Sequence, residues 1–349
     1  MLKQSAVQCL VASGLALAIA VPALAQAPEW PEIYGRVHLS ADLLNNGDDT
    51  SRHLSDNSSR IGLRGHVPLD EDRLRAVYQV EIQAALNEAD SSDELTLRNT
   101  FAGLQGRWGL LRAGRIDTPV KRMRSNVDPF SDSVGDARNI LRLNTTAFAD
   151  RGLRVNFDRR LKNSLNYTTP RFQGLGAQVH YSTDADGDGS ASNNDHEAWS
   201  ALLDYERDAT WIGLGYERYR AGDTPTAWRV AASQGLGDWR LTGLYQSTRD
   251  PESWALGGSA TYTFGVNRVL AQVYTVDVRD GENLDATMYA VGAERFLADR
   301  VRVYLRLAWL DNDNDGDLTP YRQSRSADPE MDTPGQDPHG VSLGFRIDF

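Results

Sequence analysis

The feature that most limits the fold of this chain is a strict two-residue alternation of apolar and polar side chains, renewed in segment after segment. In IYGRVHLSA, Ile33, Val37, Leu39 and Ala41 share one face while Arg36, His38 and Ser40 share the other. In SRIGLRGHV, Ile61, Leu63 and Val67 oppose Arg60, Arg64 and His66. In RLRAVYQVEIQ, Leu74, Ala76, Tyr78, Val80 and Ile82 oppose Arg73, Arg75, Gln79, Glu81 and Gln83. The pattern returns at 175–182, 256–264 and 301–309, and it ends the chain, where Val341, Leu343, Phe345, Ile347 and Phe349 fall on one side. Residues two apart share a face of an extended strand, whereas a helix repeats every 3.6. About sixteen such segments occur, which makes the chain all-β.

Each segment runs to about ten residues, the length a tilted strand needs to cross the hydrocarbon of a bilayer. The mean hydropathy of −0.48 does not oppose this, and no stretch of 18 apolar residues follows the N-terminal segment. A membrane barrel exposes only alternate residues to lipid, so its average hydropathy is unremarkable. The arginines decide the direction of the faces. Arg36, Arg60, Arg64, Arg75 and Arg98 lie opposite the apolar stripe, and an arginine turned to lipid at mid-depth costs about 2–4 kcal/mol, so they point inward. Short connections at 207–210, 234–238 and 297–299 alternate with longer polar ones at 45–57, 184–195, 221–225, 248–252, 279–285 and 311–338. Trp199, Trp211, Trp228, Trp239, Trp254 and Trp309 stand near segment ends, where interfacial aromatic girdles belong. A soluble sandwich also alternates, but with fewer and shorter strands. The expected fold is a transmembrane antiparallel β-barrel of about 16 strands.

The N-terminus reads as a targeting segment. Lys3 is followed by the apolar run 10–21 and by Ala23-Leu24-Ala25, small residues at the positions a signal peptidase reads. Residues 1–25 are the expected signal peptide and 26–349 a single barrel domain. The one cysteine, Cys9, lies in the removed part, so no disulfide or thiolate metal site is expected in the mature chain. Loss of Lys3, the one charged residue of 1–25, takes the formal charge from −11 to −12. So acidic a chain argues against nucleic acid as a partner.

Between the hairpin 98–115 and the next alternating segment comes KRMRSNVDPFSDSVGD, residues 121–136, with three basic side chains followed by Asp128, Pro129, Asp132 and Asp136. A charged, proline-bearing stretch is ordinarily a solvated loop. Set in the wall of a barrel, it is the candidate for function, with Lys121, Arg122 and Arg124 inside the lumen or outside it. Residues 150–157 read either as loop or as an additional strand.

At several points the chain resembles the general diffusion porins of Gram-negative outer membranes. The likeness is carried by Ile33-Tyr34-Gly35-Arg36, by 58–65 (SSRIGLRG), by 98–104 (RNTFAGL), by Gly114-Arg115, by 163–170 (NSLNYTTP) and by the terminal Phe349. The resemblance implies a 16-stranded barrel, a homotrimer, and a long third loop folded into the lumen. It implies a basic wall at the constriction formed by Arg36, Arg60, Arg98 and Arg160, and an acidic side on the third loop at Asp128, Asp132 and Asp136. Where the better-known enterobacterial pattern has Pro-Glu-Phe-Gly-Gly-Asp, this chain has PFSDSVGD at 129–136, so the acids are present and their register is open by a residue or two. The expected partners are outer-membrane lipid and lipopolysaccharide, small hydrophilic solutes and ions, and the barrel-assembly machinery, which would read the C-terminal strand through Phe349. Gly35, Gly62, Gly65 and Gly103 are expected to make the small-residue faces on which subunits pack.

Other chemistries are weaker. The acidic stretches 184–195 and 311–316 have the spacing of calcium loops, but no helices flank them and Arg322 stands where the second would need a bidentate acid. No metal site and no cofactor is expected. His38, His66 and His180 are on inward faces without a nucleophile pattern beside them, so enzyme chemistry is not expected. The implied activity is passive diffusion through a water-filled channel, with a substrate-specific channel of the same fold as the alternative. A barrel enzyme or a structural surface protein stands behind these. Four wall arginines against three loop acids give a weak anion preference, because the acidic outer loops are screened beyond about 8–10 Å.

Overall fold

The computed structural model describes residues 31–70, 73–84, 86, 96–143, 145–153, 155–184, 196–220, 224–323, 329–331 and 333–349. The expected signal peptide and most of the acidic stretch 184–195 lie outside them. Seventeen strands among the described residues form one antiparallel sheet. Strand β1 (Glu32–Asn45) pairs with β17 (His339–Asp348) on one side, and with β2 (Thr50–Asp56) and β3 (Arg60–Asp70) on the other. Each following strand pairs with the next: β4 (Leu74–Gln83), β5 (Thr100–Gly106), β6 (Gly109–Asp117), β7 (Arg160–Thr168), β8 (Leu175–Asp184), β9 (Ala198–Arg207), β10 (Thr210–Tyr219), β11 (Thr226–Leu236), β12 (Trp239–Arg249), β13 (Ser253–Phe264), β14 (Asn267–Val278), β15 (Ala286–Ala298) and β16 (Val301–Asn312).

The pairing of β1 with β17 closes the sheet into a barrel. β2 pairs with residues 39–45 of β1 and β3 with residues 32–36, so the two are halves of one stave and the barrel has sixteen. The break between them is local: Ser58 takes a positive φ of 63° and the Asp56 carboxylate accepts from the Ser59 amide at 2.9 Å. The expected connection at 45–57 is therefore largely strand. The actual link is 46–49, tied by the Asn46 side chain, which accepts from the amides of Asp48 and Asp49 at 3.1 and 2.8 Å.

Outward faces are apolar, as alternation requires: Ile33, Leu43, Ile61, Val80, Leu203, Leu214, Val230, Leu256 and Leu343 are exposed, while the intervening residues are buried or line the interior. Aromatic pairs ring both rims. Tyr181 with Trp199 (4.5 Å between centroids), Tyr216 with Trp228 (4.8 Å) and Tyr289 with Trp309 (5.3 Å) stand at the rim of the long loops, and Trp239 with Tyr262 (4.8 Å) at the rim of the short turns. Trp211 is an exception among the six expected girdle residues. It is 6% exposed, faces inward, and gives its indole N–H to Asp204 at 3.2 Å.

The glycines expected to make a subunit-packing face do something else. A Cβ on Gly35 would stand 2.3 Å from the Phe349 ring, on Gly62 2.4 Å from the Tyr34 ring, and on Gly65 2.4 Å from the Tyr78 hydroxyl. These glycines lie beneath aromatic rings of their own chain, which cover bare backbone in a strand; Gly103 sits against the carbonyl of Leu111.

Phe349 forms the last rung of the closure, donating to the Gly35 carbonyl at 3.0 Å and accepting from the Gly35 amide at 2.9 Å, with its ring over Gly35. Removing it leaves two backbone groups without partners and uncovers the glycine. Deletion of Phe349 is expected to lower the yield of heat-modifiable barrel on gel electrophoresis several-fold, and an undiminished yield would refute its role in closure.

Candidate functional site

The longest connection, 118–159, turns inward. Thr118 accepts from the Lys121 amide at 3.3 Å and so caps α1 (Pro119–Arg124), whose proline occupies a first-turn position where no amide is needed. The apolar side of α1 lies on the inner wall: a Cβ on Gly215 would stand 2.5 Å from the Met123 sulfur and 2.9 Å from Val120. Farther along, Gly135 lies against Ala290 and Ala308. Small inward residues on β10–β16 thus let the loop approach backbone to backbone. The segment continues through α2 (Arg138–Leu141) and α3 (Thr146–Asp150), which bury Ile140, Leu141 and Phe148. The described residues among 150–157 hold no additional strand; after α3 they are irregular, with Val155 and Phe157 in the same apolar cluster.

Polar bonds pin the loop to the wall. Arg229 and Asp158, both fully buried, pair at 3.1 Å, and Arg229 also donates to the Val120 carbonyl at 3.0 Å. Thr242 donates to the Val127 carbonyl at 2.7 Å, Gln246 to that of Leu141 at 3.1 Å, and Gln272 to that of Gly135. Within the loop Arg124 holds Asp128 at 2.8 Å, while Arg138 holds Asp136 at 2.5 Å and Asp132 at 2.9 Å. Burial alone would raise the Asp132 carboxyl, but Arg138, Arg60 and Arg36 hold it well below the usual carboxylate range.

Between loop and wall remains an open cavity of about 860 Å³. Arg36, Arg60, Arg98 and Arg160 line it from the wall, and Asp128 and Asp132 from the loop. Asp136 lies behind this surface, fully buried against Arg138 and the Asp132 amide. Lys121, Arg122 and Arg124 all face the cavity. Arg138 and Arg142 of the loop and Arg268, Arg302 and Arg346 of the wall join them, giving twelve basic against five acidic lining residues among those described. Arg302 and Arg346 were legible as polar-face residues of alternating segments; Arg138 and Arg142 carry no periodic signal.

The register shows how closely these cations are set. Arg36 lies directly opposite Arg60, and Arg302 opposite Arg346. Like charges facing each other across a ladder destabilise it, and shared carboxylates offset the repulsion. Asp117 contacts Lys121 at 2.7 Å and Arg160 at 3.0 Å; Glu81 contacts Arg98 at 2.7 Å and Arg60 at 3.9 Å. Glu294 serves Arg306, Arg268 and Arg302 at 2.5, 3.3 and 3.7 Å, and Asp132 reaches across to Arg36 at 3.2 Å. Of the inward histidines, His38 bonds the Tyr304 hydroxyl at 2.8 Å, His180 is buried, and His66 lines a recess at the short-turn rim. No cluster of three or more His, Cys, Asp or Glu side chains suited to a metal occurs among the described residues. In the stretch 311–316, Asp315 pairs with Arg151 at 3.0 Å and Asn312 donates to two loop carbonyls.

An apolar-walled closed barrel, with a charge-lined interior narrowed by an inward loop, is a transmembrane β-barrel of the pore-forming class. The chain belongs to the Gram-negative porin family, whose model matches residues 12–315, and its place is the outer membrane. It is 28% identical to a chitoporin of Vibrio furnissii over 234 residues, covering 63% of this chain and 57% of that one. It is 25% identical to the major outer membrane protein P.IB of Neisseria gonorrhoeae over 308 residues, 77% of this chain and 82% of that one. Its fold is similar to that of an anion-selective porin from Comamonas acidovorans, with a TM-score of 0.74 at 21% identity over 91% of this chain and 99% of the other.

The Arg229–Asp158 pair generates a direct test of how the loop is held. Truncating one partner of a buried pair leaves an uncompensated charge and costs about 3–5 kcal/mol. Arg229→Ala should therefore loosen 118–159, giving noisier and larger single-channel currents and faster proteolysis within 118–159. Currents and cleavage matching the parent protein would show that the pair does not anchor the loop.

Proposed function

We propose that this chain forms a water-filled channel through which small hydrophilic solutes and ions diffuse passively, with a preference for anions. The observation that carries it is the excess of basic over acidic side chains on the cavity lining, twelve to five among the described residues. Three of the five acids, Asp117, Asp132 and Glu294, each contact two or more cations and so do little to attract cations from solution. Charge in a narrow, poorly screened opening governs a passing ion, whereas the acidic outer loops act through solvent that screens them within about 8–10 Å. The constriction is assigned to Arg36, Arg60, Arg98 and Arg160 on one side and Asp128 and Asp132 on the other. Asp136 acts there by fixing Arg138 rather than by facing the solute.

A substrate-specific channel is the second possibility, and the similarity to a chitoporin raises it. Sugar rings bind on aromatic platforms, and none of the described lining residues of the constriction is aromatic, which favours selection by charge and size. Membership of the family sets the chain among channels rather than enzymes. A homotrimer, contact with lipopolysaccharide, and recognition of the C-terminal strand by the barrel-assembly machinery belong to the same proposal, on the strength of the family resemblance.

Reversal potentials across a salt gradient test the selectivity. The parent channel should favour anions, and Arg60→Glu with Arg98→Glu should shift the potential toward cations. The neutral pair Arg60→Gln with Arg98→Gln should move it in the same direction by a smaller amount, since Glu81 then loses its partners without gaining new repulsion. Cation preference in the parent, or an unmoved potential in both variants, would remove these arginines from the constriction. Liposomes carrying the protein should swell in sugars at rates that fall with solute size.

A further inference from the structure

On the lipid-facing side of the wall, at the long-loop rim, a separate cavity of about 720 Å³ opens over β10, β11 and β12. Strand register orders its surface. Tyr216 pairs with Trp228 and Trp228 with Ser247; one rung nearer the loops, Arg218 pairs with Thr226 and Thr226 with Arg249. All six line the cavity. They alternate with Glu217, Ala227, Arg229 and Gln246, which are buried on the inner face, so these six project outward; Thr248, buried at the rim, also borders the cavity. Tyr216 and Trp228 are inclined at 50°, and Trp228 is 53% exposed.

Two arginines thus stand on the outer wall directly above an aromatic rung, on either side of Thr226. Two strand spacings set their backbones roughly 10 Å apart, a gap that long side chains close from both sides. Neither has an ion-pair partner among the described residues. By contrast, at the same rim Arg279 is paired with Glu252, itself on the cavity lining, at 2.9 Å, and Arg220 with Glu197 at 3.7 Å. An outward arginine at a lipid boundary is stabilised by an anionic headgroup, and guanidinium is the side chain best shaped for phosphate oxygens. The aromatic rung beneath suits the apolar face of a sugar or the top of an acyl chain. Asp250, also lining the cavity, supplies an acceptor for sugar hydroxyls, while Glu252 at its edge is held by Arg279.

We propose that this groove binds a phosphorylated glycolipid of the outer leaflet, with its phosphate between Arg218 and Arg249 and its sugar against Tyr216 and Trp228. The proposal rests on the long-loop rim being the cell-surface rim, and it gives the expected lipopolysaccharide contact a location. Solutes in the lumen cannot reach this face, which separates the site from the channel.

The test is native mass spectrometry of the full chain in non-ionic detergent, titrated with diphosphorylated lipid A. One saturable site per chain is expected. Arg218→Gln with Arg249→Gln should weaken it at least tenfold, and dephosphorylated lipid A should bind the parent as weakly as diphosphorylated lipid A binds the variant. Millimolar inorganic phosphate should not compete, because a lone ion lacks the aromatic contact. Equal binding by parent and variant, full binding of the dephosphorylated lipid, or displacement by inorganic phosphate would each overturn the proposal. Unchanged channel conductance in the variant verifies its fold; should it fail to fold, Trp228→Ala must weaken lipid A binding instead. Loss of oligomer from the variant without lipid would assign the groove to a second copy of the chain and likewise overturn it. Orientation is read separately by labelling Asn314→Cys on intact cells: an unlabelled cysteine removes the outer-leaflet assignment while leaving the measured lipid A affinity as it is.

Discussion

Inside a bilayer an unpaired backbone amide has no water to turn to, and the pairing of β1 with β17 is the response on which the rest of this molecule depends. With the ring closed, every stave has two neighbours and no edge is left to recruit another chain. Closure also divides each strand's two faces into two solvents. Apolar residues go to lipid because the alternative is a charge there, and the same alternation delivers one arginine after another to the interior. The crowding of Arg36 on Arg60 and Arg302 on Arg346 is a consequence of that geometry. So is the use of carboxylates such as Glu294 that serve several guanidinium groups at once.

The inward loop depends on closure in a different way. A segment of this length lying free in a water-filled lumen would lose more conformational entropy on ordering than a few surface contacts return. It is ordered because one half of the wall has been prepared for it, with small residues where the loop backbone comes near and buried polar groups, above all Arg229, where it needs partners. The two halves of the barrel consequently differ: one is packed against the loop's apolar cluster, and the other keeps its arginines facing water.

The barrel was legible because its signal is spread over some three hundred residues and repeats with a period that no helix shares. The inward direction of Arg36, Arg60 and Arg98 follows from the same parity, whereas Arg160 was expected from the family resemblance alone. Parity also contained Arg302 and Arg346, but their proximity to Arg36 depends on the last stave meeting the first, a contact between sequence ends. Trp211 misled because nearness to a strand end says nothing about which face a residue takes. The glycines misled because an absent side chain is as compatible with a covering ring from the same chain as with a neighbouring subunit. Inside 118–159 there was no period to follow: Asp128, Asp132 and Asp136 were equivalent in sequence, and only the positions of Arg124, Arg138 and Arg36 separate the two that face the cavity from the one behind it.

The wall behind the loop carries a consequence for how such a pore is adjusted. Gly215, Ala290 and Ala308 never meet a solute, yet they fix how far back the loop can sit. A methylene added there moves the loop's charged front toward the opposite arginines, since packed interiors transmit displacement rather than absorb it. The bore of the passage is thus calibrated from its hidden side, and mesh size can drift through substitutions at apolar positions while the ring of charge that sorts the ions is left untouched.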